Sequence, residues 1–530
     1  MRTFQAKRDK KQDGESQNEL VSAMLEPDFY PKRSSKVEHK ETHISHVFLT
    51  DDLVYKIKKP VRFSFLDYST PAKRRHFLNE ELLLNRRLAP SVYLAIMPIS
   101  FDATGWRLWG WAAPEEYTLV MRRLPERRML PFLLDSGQLT PEMMRAVAKV
   151  LAPFHGRAEP LRKEGAVHYP STVQDQWTDN LAELQPFFRT SFEAEAYGPL
   201  KQFGTQFINR HHDLLVRRSS EGWIRDVHGD LHCDHICFAP EGIQIFDCIE
   251  FSRELRCCDL ASEIAFLIMD LEVRGGGTLV QPFLTYYLEL LDDPGLPVLL
   301  PFYKCYRALV RGKVEALRSP GPDSPARRYF RYALRMTWEP LKPFVVIVCG
   351  LTGSGKSSLA RELGDRLGMP VINSDSVRKT IAGKSGRVAV LFNEGIYSLT
   401  MTEKTYAMMA KEAEKQILSG TGAILDATFL NKTHREKIAR LADKHKILFF
   451  VIHCVASEGT IRKRLAQRAE MGKDVSDGRC EIYVEQRSAQ QPFSEIPSVN
   501  CLELSTEAPL YQITGACERF LRSRIEQVRG

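Results

Sequence analysis

Hydrophobic and polar residues alternate in the first part of the chain. From His46 the sequence reads HVFLT, a polar pair DD, and then LVYKIKKPV, and this period of two predicts a β-hairpin. Lys56 and Lys58 fall on one face of its second strand. The segment PAKRRHFLNEELLLNRRLAP follows and predicts a helix that ends near Pro90 and carries Glu80 and Glu81.

The second half of the chain shows a different pattern. Apolar runs of strand length, VVIVCG, VINSD, GAILDATF, KILFFVIHC and VNCLELS, alternate with segments of helical periodicity. This alternation predicts an α/β domain whose parallel sheet has helices on both faces. Ligands of such sheets bind at the carboxyl ends of the strands, so we expect functional residues there.

The first of these strands, which begins at Phe344, leads into GLTGSGKSS and then into a helical pattern. Glycines at this spacing let the backbone approach a triphosphate closely. We expect Lys356 to reach the β- and γ-phosphate oxygens and Ser357 to bind Mg²⁺. The residues predicted to hold ATP here are Gly350, Gly353, Ser354, Gly355, Lys356, Ser357 and Ser358.

Length and composition narrow the class of protein. With 530 residues, the chain exceeds what one core usually serves, which predicts two or three domains. Hydrophobic residues make up 43% and charged residues 26%, as in ordinary soluble proteins. The net charge of +8 favours a solvated surface over a nucleic-acid site.

Cysteine usage and hydropathy indicate the cellular compartment in which the protein is expected. The eleven cysteines form no CxxC pair, and no apolar signal segment opens the chain, so neither a zinc site nor a secreted disulfide framework is predicted. No uninterrupted apolar run reaches about eighteen residues. We therefore expect a cytoplasmic protein that does not span a membrane; the sequence does not indicate its oligomeric state.

Two aspartates follow short apolar strands in the middle of the chain. Asp230 lies in WIRDVHGDLHCDHICF, and Asp247 follows the strand GIQIF. Phosphoryl transfer from Mg-ATP to a hydroxyl group needs one carboxylate that accepts the substrate proton and another, about twenty residues on, that holds the metal ion. Farther along, Asp259 and Glu263 lie one helical turn apart, and we expect them to brace the catalytic loop.

Residues of about 20 to 335 resemble the aminoglycoside phosphotransferase family, whose fold is similar to that of protein kinases. The resemblance rests on HGDLHCDH, which matches the family pattern HGD-L-H-x-x-N. It implies Asp230 as catalytic base, Asp247 as metal ligand, and Lys56, with Lys58 as runner-up, as the lysine that holds the phosphates. It further implies Glu81 as partner of that lysine, Met121 at the hinge beside adenine, and Asp259 as a residue that braces the catalytic loop.

His235 departs from the family pattern, because it stands where the family has a metal-binding asparagine. Neutral imidazole binds Mg²⁺ poorly, since this ion prefers oxygen ligands. We assign His235 to the metal site with Asp247. The site could use a single metal ion, recruit a water molecule, or have become a nucleotide-binding pseudokinase site. The neighbouring His228 and His232 are interpreted as residues that shape the loop rather than as a transition-metal cluster.

Residues of about 343 to 510 resemble small P-loop kinases, a group with gluconate kinase, polynucleotide 5′-kinase, chloramphenicol phosphotransferase and the zeta toxins. Asp426 follows the third strand, where a Walker B carboxylate would organise Mg²⁺ through water. The resemblance implies that Asp375 activates the acceptor hydroxyl and that Arg378 holds it. Arg464 and Arg468, four residues apart on one helix face, are predicted to form a lid.

Together the two resemblances are those of bifunctional aminoglycoside phosphotransferase/ATP-binding proteins. The predicted organisation is a disordered basic tail at 1–18, a protein-kinase-like α+β domain of two lobes at 19–335, a linker at 336–342 and an α/β P-loop kinase domain at 343–530. The expected activity is transfer of the γ-phosphoryl group of Mg-ATP to hydroxyl groups of a small molecule at two nucleotide sites. The alternatives are an N-terminal pseudokinase that regulates the P-loop kinase, and a polynucleotide 5′-hydroxyl kinase.

Overall fold

The computed structural model describes residues 17–63, 66–161, 168–190, 196–321, 323–383, 398–471 and 480–529, apart from a few side chains at the margins of these ranges. The chain divides into two compact units between Ala333 and Leu334. The predicted tail at 1–18 lies outside the described residues except for positions 17 and 18, which begin a helix that runs to residue 24.

An antiparallel sheet of six strands forms one part of the first unit, in the order β1-β2-β3-β8-β6-β7. Its β2 and β3 are the predicted hairpin, which is thereby confirmed. The strands of the unit are β1 (Glu38–Glu41), β2 (Ser45–Leu49), β3 (Leu53–Lys58), β4 (Arg62–Phe63), β5 (Leu66–Asp67), β6 (Tyr93–Asp102), β7 (Gly105–Leu108), β8 (Pro114–Arg122), β9 (Ile224–Asp226), β10 (Ile236–Ala239), β11 (Gly242–Ile245) and β12 (Cys257–Asp259).

Helices form the remainder of the first unit. Its most buried helix is α9, in which every residue from Leu260 to Leu271 is buried, as its nearly continuous apolar sequence requires. The helices are α1 (17–24), α2 (Pro71–Asn85), α3 (Leu130–Asp135), α4 (Pro141–Arg157), α5 (Tyr169–Thr190), α6 (Tyr197–Arg210), α7 (His212–Ser220), α8 (Arg253–Arg256), α9 (Leu260–Val273), α10 (Val280–Leu291), α11 (Leu296–Arg318) and α12 (Ala326–Met336), the last crossing the division between the units.

The second unit contains the predicted parallel sheet, with five strands in the order β14-β15-β13-β16-β17. The strands are β13 (Phe344–Cys349), β14 (Val371–Asn373), β15 (Ala423–Asp426), β16 (Leu448–Val455) and β17 (Cys501–Ser505). The helices are α13 (Lys356–Leu367), α14 (Ser374–Ile381), α15 (Leu399–Leu418), α16 (Lys432–Lys444), α17 (Glu458–Met471), α18 (Cys480–Ala489) and α19 (Leu510–Arg529).

The central strand β13 is buried along its whole length and serves two cores. Val346 and Val348 pack on one face with α13 and α19, while Val345 and Ile347 pack on the other face with α15 and α16. Successive side chains of a strand point to opposite faces, so a strand between two helical layers must be apolar throughout. Because all five strands are parallel, their carboxyl ends share one edge of the sheet.

Among the described helices, none combines the length and apolar character needed to cross a bilayer.

Candidate functional site

Two lysines of β3 share one buried glutamate of α2 in the first unit. Lys56 Nζ donates to Oε1 of Glu81 at 2.7 Å, and Lys58 Nζ donates to Oε2 at 2.5 Å. The lysines reach one carboxylate because residues two apart lie on the same face of a strand. Burial alone would raise the pKa of Glu81, but the two ammonium charges outweigh it and lower that pKa.

The two lysines differ in their second partners. Lys56 also donates to Oδ1 of Asp247 at 3.0 Å, and 13% of its side chain stays exposed. Lys58 is fully buried and donates to Glu250, which also accepts a hydrogen bond from the Tyr68 hydroxyl at 2.7 Å. Lys56 thus connects the helix glutamate with the aspartate beyond β11, whereas Lys58 is enclosed within the unit.

Asp247 adopts an unusual backbone conformation. Its φ angle is 64°, in the left-handed region that residues other than glycine seldom occupy. Two hydrogen bonds hold this turn: the amide of Asp247 donates to the Tyr93 hydroxyl at 3.1 Å, and the amide of Cys248 donates to Asn85 Oδ1 at 2.8 Å. The side chain of Asp247 remains 44% exposed. The turn therefore directs a carboxylate toward Lys56 while keeping it accessible.

The loop that carries Asp230 is held from α9 and α11. The Glu263 carboxylate accepts from the amides of His228 and Gly229 at 2.9 and 3.1 Å, and Arg307 Nη1 donates to the carbonyl of Gly229 at 3.1 Å. Burial raises the pKa of Glu263 to about 7. The prediction that Glu263 braces this loop is confirmed.

The prediction that Asp259 braces the loop of Asp230 is wrong. Its carboxylate accepts two hydrogen bonds from Arg218, at 2.8 and 2.6 Å, and one from the amide of Ala261 at 2.7 Å. Asp259 is the N-cap residue of α9, so its side chain turns back to the first helical amides and to Arg218 instead of reaching the loop.

Hydrogen bonds fix the orientation of His228 beside Asp230. Its Nε2 lies 2.9 Å from the carbonyl of Phe246 and must donate, while Nδ1 accepts from the amide of Asp230 at 3.3 Å. Burial lowers the pKa of His228 to about 3, which keeps the ring neutral. His228 therefore shapes the loop, in agreement with the sequence interpretation.

His235 lies between the two predicted catalytic aspartates. Its Nδ1 is 2.9 Å from the carbonyl of Asp230, and its Nε2 is 3.5 Å from Oδ2 of Asp247. Ligand-capable atoms of Asp230, His232 and His235 all lie within 4.8 Å of one another. Burial would raise the pKa of Asp230, but the adjacent His232 and His235 outweigh it and hold that pKa below its ordinary range. The structure thus brings Lys56, Glu81, Asp247, His235 and Asp230 into one connected group.

Among the described residues of the first unit, the two assigned to the metal ion do not form the donor set that Mg²⁺ prefers. The candidate ligands are one carboxylate, from Asp247, and one imidazole, from His235, whereas Mg²⁺ is usually bound by oxygen atoms. The predicted hinge residue Met121 lies in β8, where it pairs with Val54 of β3 and packs against the buried cluster that contains Leu119. Its contact with adenine stays a prediction.

The phosphate-loop segment of the second unit joins β13 to α13. Gly350, Gly353 and Gly355 have φ angles of 142°, 78° and 87°, which only glycine adopts readily. A Cβ atom at Gly350 would lie 2.4 Å from the carbonyl oxygen of Cys454. Lys356, Ser357 and Ser358 form the first turn of α13, where backbone amides point outward and favour anions.

Asp426 ends β15, the strand next to β13. Asn373 Nδ2 donates to its Oδ2 at 2.7 Å, whereas its Oδ1 is buried without a hydrogen-bond partner among the described residues. Leaving such an oxygen unpaired is costly, and a hydrated cation would satisfy it. Asp426 and Ser357 offer only oxygen atoms, so this donor set fits Mg²⁺.

The other predicted residues of the second unit occupy α14 and α17. Arg378 Nη1 donates to Asp375 Oδ1 at 2.6 Å within the first turns of α14. Arg464 donates to the hydroxyl of Thr506 at 2.9 Å and to its carbonyl at 2.6 Å. Arg464 lines a cavity of about 420 Å³ together with Gly355, Ser358 and Thr506. The side chain of Arg468 lies outside the described residues.

Two residues that contact the phosphate-loop segment were missed in the sequence. Thr506 donates to the carbonyl of Ser354 at 2.6 Å, and Gln486 accepts from the amide of Thr352 at 2.9 Å. Thr506 follows the last strand directly, so the rule that functional residues gather at carboxyl ends could have identified it. Nothing in the sequence around Gln486 indicates its contact.

Two protein families match this chain. Residues 49–302 match the phosphotransferase enzyme family, and residues 345–492 match a family described as AAA domain. Proteins of Mycobacterium tuberculosis and Mycobacterium bovis, named only as uncharacterised, are 32% identical over 449 residues, which are 83% of this chain and 88% of theirs. The chain belongs to the family of bifunctional aminoglycoside phosphotransferase/ATP-binding proteins. As a member of this family it is a phosphotransferase with two kinase-like domains, and the predicted fold class is confirmed.

Solved structures that resemble this phosphotransferase cover only part of the chain. A protein of Chloroflexus aurantiacus described as a putative kinase shares 20% identity over 34% of this chain and 97% of its own, with a TM-score of 0.28. A gluconokinase of Sinorhizobium meliloti shares 16% identity over 35% and 96%, with a TM-score of 0.26. The APS kinase of Mycobacterium tuberculosis shares 20% identity over 34% and 98%, also with a TM-score of 0.26.

Proposed function

We propose that this phosphotransferase binds ATP in both units and transfers the γ-phosphoryl group to hydroxyl groups of a small molecule. The observation that carries the proposal is the Lys56 ammonium, which contacts Glu81 and Asp247 at once, with Asp230 joined to Asp247 through His235. A lysine held by a helix glutamate beside two loop carboxylates is the arrangement that phosphoryl transfer to a hydroxyl group needs.

In the first unit, Lys56 would donate to the α- and β-phosphate oxygens, and Glu81 would keep its ammonium in place. Asp230 is 36% exposed and its lowered pKa keeps it ionised, so it can accept a hydrogen bond from the acceptor hydroxyl and orient it. It would take the proton as the new oxygen–phosphorus bond forms and the hydroxyl becomes acidic. The acceptor oxygen then bonds to the γ-phosphorus as the bond from that phosphorus to the β,γ-bridging oxygen breaks, which leaves ADP.

In the second unit, the amides at the start of α13 and the Lys356 ammonium would surround the β- and γ-phosphates. Ser357 and Asp426 would hold Mg²⁺, which neutralises phosphate charge when bound. Asp375 would accept the proton of the acceptor hydroxyl, and Arg378 would hold that acceptor. Arg464 and Arg468 would close over the nucleotide, with Arg464 at the cavity beside Gly355 and Ser358.

The test uses the full chain with γ-labelled ATP and a panel of hydroxyl acceptors: aminoglycosides, sugars, nucleosides, nucleotide-sugars and 5′-hydroxyl oligonucleotides. We expect Asp230→Asn to abolish one set of labelled products and Lys356→Ala another, with none left in the double variant. Matched controls are Asp135→Asn and Lys404→Ala, which alter exposed residues outside both groups.

Other outcomes would contradict parts of the proposal. If every labelled product survives Asp230→Asn, the first unit does not catalyse transfer, and the pseudokinase alternative stands. If only the oligonucleotides become labelled, the polynucleotide 5′-hydroxyl kinase alternative replaces the small-molecule acceptor.

A further inference from the structure

The imidazole of His235 has a defined tautomer. Nδ1 lies 2.9 Å from the carbonyl oxygen of Asp230, and a carbonyl oxygen can only accept a hydrogen bond. Nδ1 therefore carries the proton of the neutral ring, and Nε2 presents a lone pair. Nδ1–H donation to a backbone carbonyl is also the contact that orients metal-binding histidines in proteins.

The lone pair of Nε2 faces Asp247. The distance from Nε2 to Oδ2 of Asp247 is 3.5 Å, while Oδ1 of the same carboxylate accepts from Lys56 at 3.0 Å. Two lone pairs that face each other repel unless a cation lies between them. Two ligands about 2.1–2.2 Å from one ion lie about 3.1 Å apart at an octahedral angle of about 90° and about 3.5 Å apart at a tetrahedral angle. The gap between Nε2 and Oδ2 therefore has the width that one bound divalent ion requires.

The neighbouring groups keep this geometry in place. Only 11% of the His235 side chain is exposed, and the ring of His232 packs against it with a centroid distance of 3.9 Å. His232 itself is oriented differently, because its Nδ1 accepts from the amide of Asp234 at 3.3 Å. The lone pair of His232 Nδ1 is thus used by the backbone amide of Asp234. His235 is the imidazole that lies next to Asp247, the predicted metal ligand.

We propose that Nε2 of His235 and the carboxylate of Asp247 bind one divalent ion, and that this mixed donor set selects Mn²⁺ or a similar transition ion over Mg²⁺. Imidazole suits transition ions, carboxylate and phosphate oxygens suit Mn²⁺ as well as Mg²⁺, and Mn²⁺ accepts both kinds of donor. The inference rests on the proposed function of the first unit, since the ion would lie beside its nucleotide. The second unit, with the oxygen donors of Ser357 and Asp426, would keep Mg²⁺.

Pulsed electron paramagnetic resonance of bound Mn²⁺ tests this assignment, because a directly bound imidazole gives a nitrogen coupling that oxygen ligands lack. The sample is the full chain with Lys356→Ala, which weakens nucleotide binding in the second unit, together with Mn²⁺ and β,γ-methylene ATP. We expect the nitrogen coupling in this background and its loss in His235→Asn and in His235→Gln. His212→Asn, at an exposed histidine of α7, is the matched control and should retain the coupling.

Titrations of the same proteins measure selectivity. We expect His235→Asn to reduce the preference for Mn²⁺ over Mg²⁺ by about 10-fold or more. Bound Mn²⁺ without nitrogen coupling, or a coupling that survives both His235 substitutions, would overturn the proposal, as would a protonated His235 that binds no ion. The two proposals fail separately: nitrogen coupling without any phosphoryl transfer would contradict only the proposed function, and transfer supported by Mg²⁺ with no nitrogen coupling would contradict only the metal site.

Discussion

The two units build their candidate nucleotide sites by opposite means. In the first unit, side-chain charges from distant segments meet, and the buried carboxylate of Glu81 balances Lys56 and Lys58. In the second unit, the backbone forms the site, with three glycines in conformations that other residues avoid, between the buried strand β13 and α13. One site depends on the balance of buried charge, and the other depends on space around the main chain.

This difference decides which substitutions each site tolerates. Removing one charged partner in the first unit leaves another charge buried, which is strongly destabilising. Adding one methyl group in the second unit moves the main chain, which disturbs the positions of several amides at once.

The largest effect is expected for Glu81→Ala, which removes the partner shared by Lys56 and Lys58. Because Lys58 is fully buried, its ammonium would lose half of its carboxylate contacts, and the free energy of unfolding of the first unit should fall by about 3–5 kcal/mol. Chemical denaturation measures this change. Glu80→Ala, on the same helix, is the control and should change that free energy by about 0.5 kcal/mol or less. Equal losses for both variants would contradict the charge-balance account.

Gly350→Ala should have the next largest effect. The new Cβ would lie 2.4 Å from the carbonyl of Cys454, where a backbone atom cannot yield. We expect phosphoryl transfer by the second unit to fall by about 10²-fold, since small displacements of positioning groups have effects of this size. Gly420 also has a positive φ angle, 81°, but with open space around it, so Gly420→Ala should leave transfer unchanged. Comparable losses of transfer in both variants would show that backbone strain, and not the clash with Cys454, causes the loss.

A pH dependence of stability is expected from Glu263. Its pKa is raised from 4.5 to about 7, so the folded state holds the proton more tightly than the unfolded state. Stability therefore falls as the pH rises from about 4.5 to about 7, by a total of about 3 kcal/mol at about 1.36 kcal/mol per pKa unit.

In Glu263→Gln this contribution should vanish, so the difference in unfolding free energy between the two proteins should change across that pH window. Denaturant titrations at several pH values measure it. The exposed Glu289→Gln is the control and should follow the native curve. Parallel curves for Glu263→Gln and the native protein would refute the raised pKa.

Arg464→Lys should have the smallest effect. Lysine can replace the charge but not both hydrogen bonds to Thr506, at 2.9 and 2.6 Å. The KM for ATP of the second unit should rise about 3- to 10-fold, the consequence of about 1 kcal/mol. Arg462→Lys, whose side chain pairs with Glu458 on the surface of α17, should leave the KM unchanged. A similar rise in both variants would show that the hydrogen bonds from Arg464 to Thr506 do not control the KM.

The sequence predicted the features that local patterns determine. The hairpin with Lys56, the five parallel strands and the glycine loop all follow from periodicity and from residue types over short stretches. The contacts that the sequence did not predict join distant segments: Lys58 with Glu250 spans 192 positions, and Thr506 with Ser354 spans 152. Such pairs depend on how the elements pack, which no local pattern contains.

The candidate site likewise contains residues that the sequence predicted and contacts that only the structure shows. The resemblance selected Lys56 and Glu81, and the structure brings these side chains into contact, but their role in binding phosphate stays a prediction. The error on Asp259 has a local cause, because its carboxylate caps α9. The tautomer of His235 follows from a carbonyl five residues away, and only the folded loop reveals its direction.

The enclosure of Lys58 has a practical consequence. Its amine is surrounded by Glu81, Glu250 and the ring of Tyr68, so a reagent that acylates amines cannot reach it while β3 stays against α2. Acylation of Lys58, detected by mass spectrometry of its peptide, would therefore measure how often the first unit opens at this position.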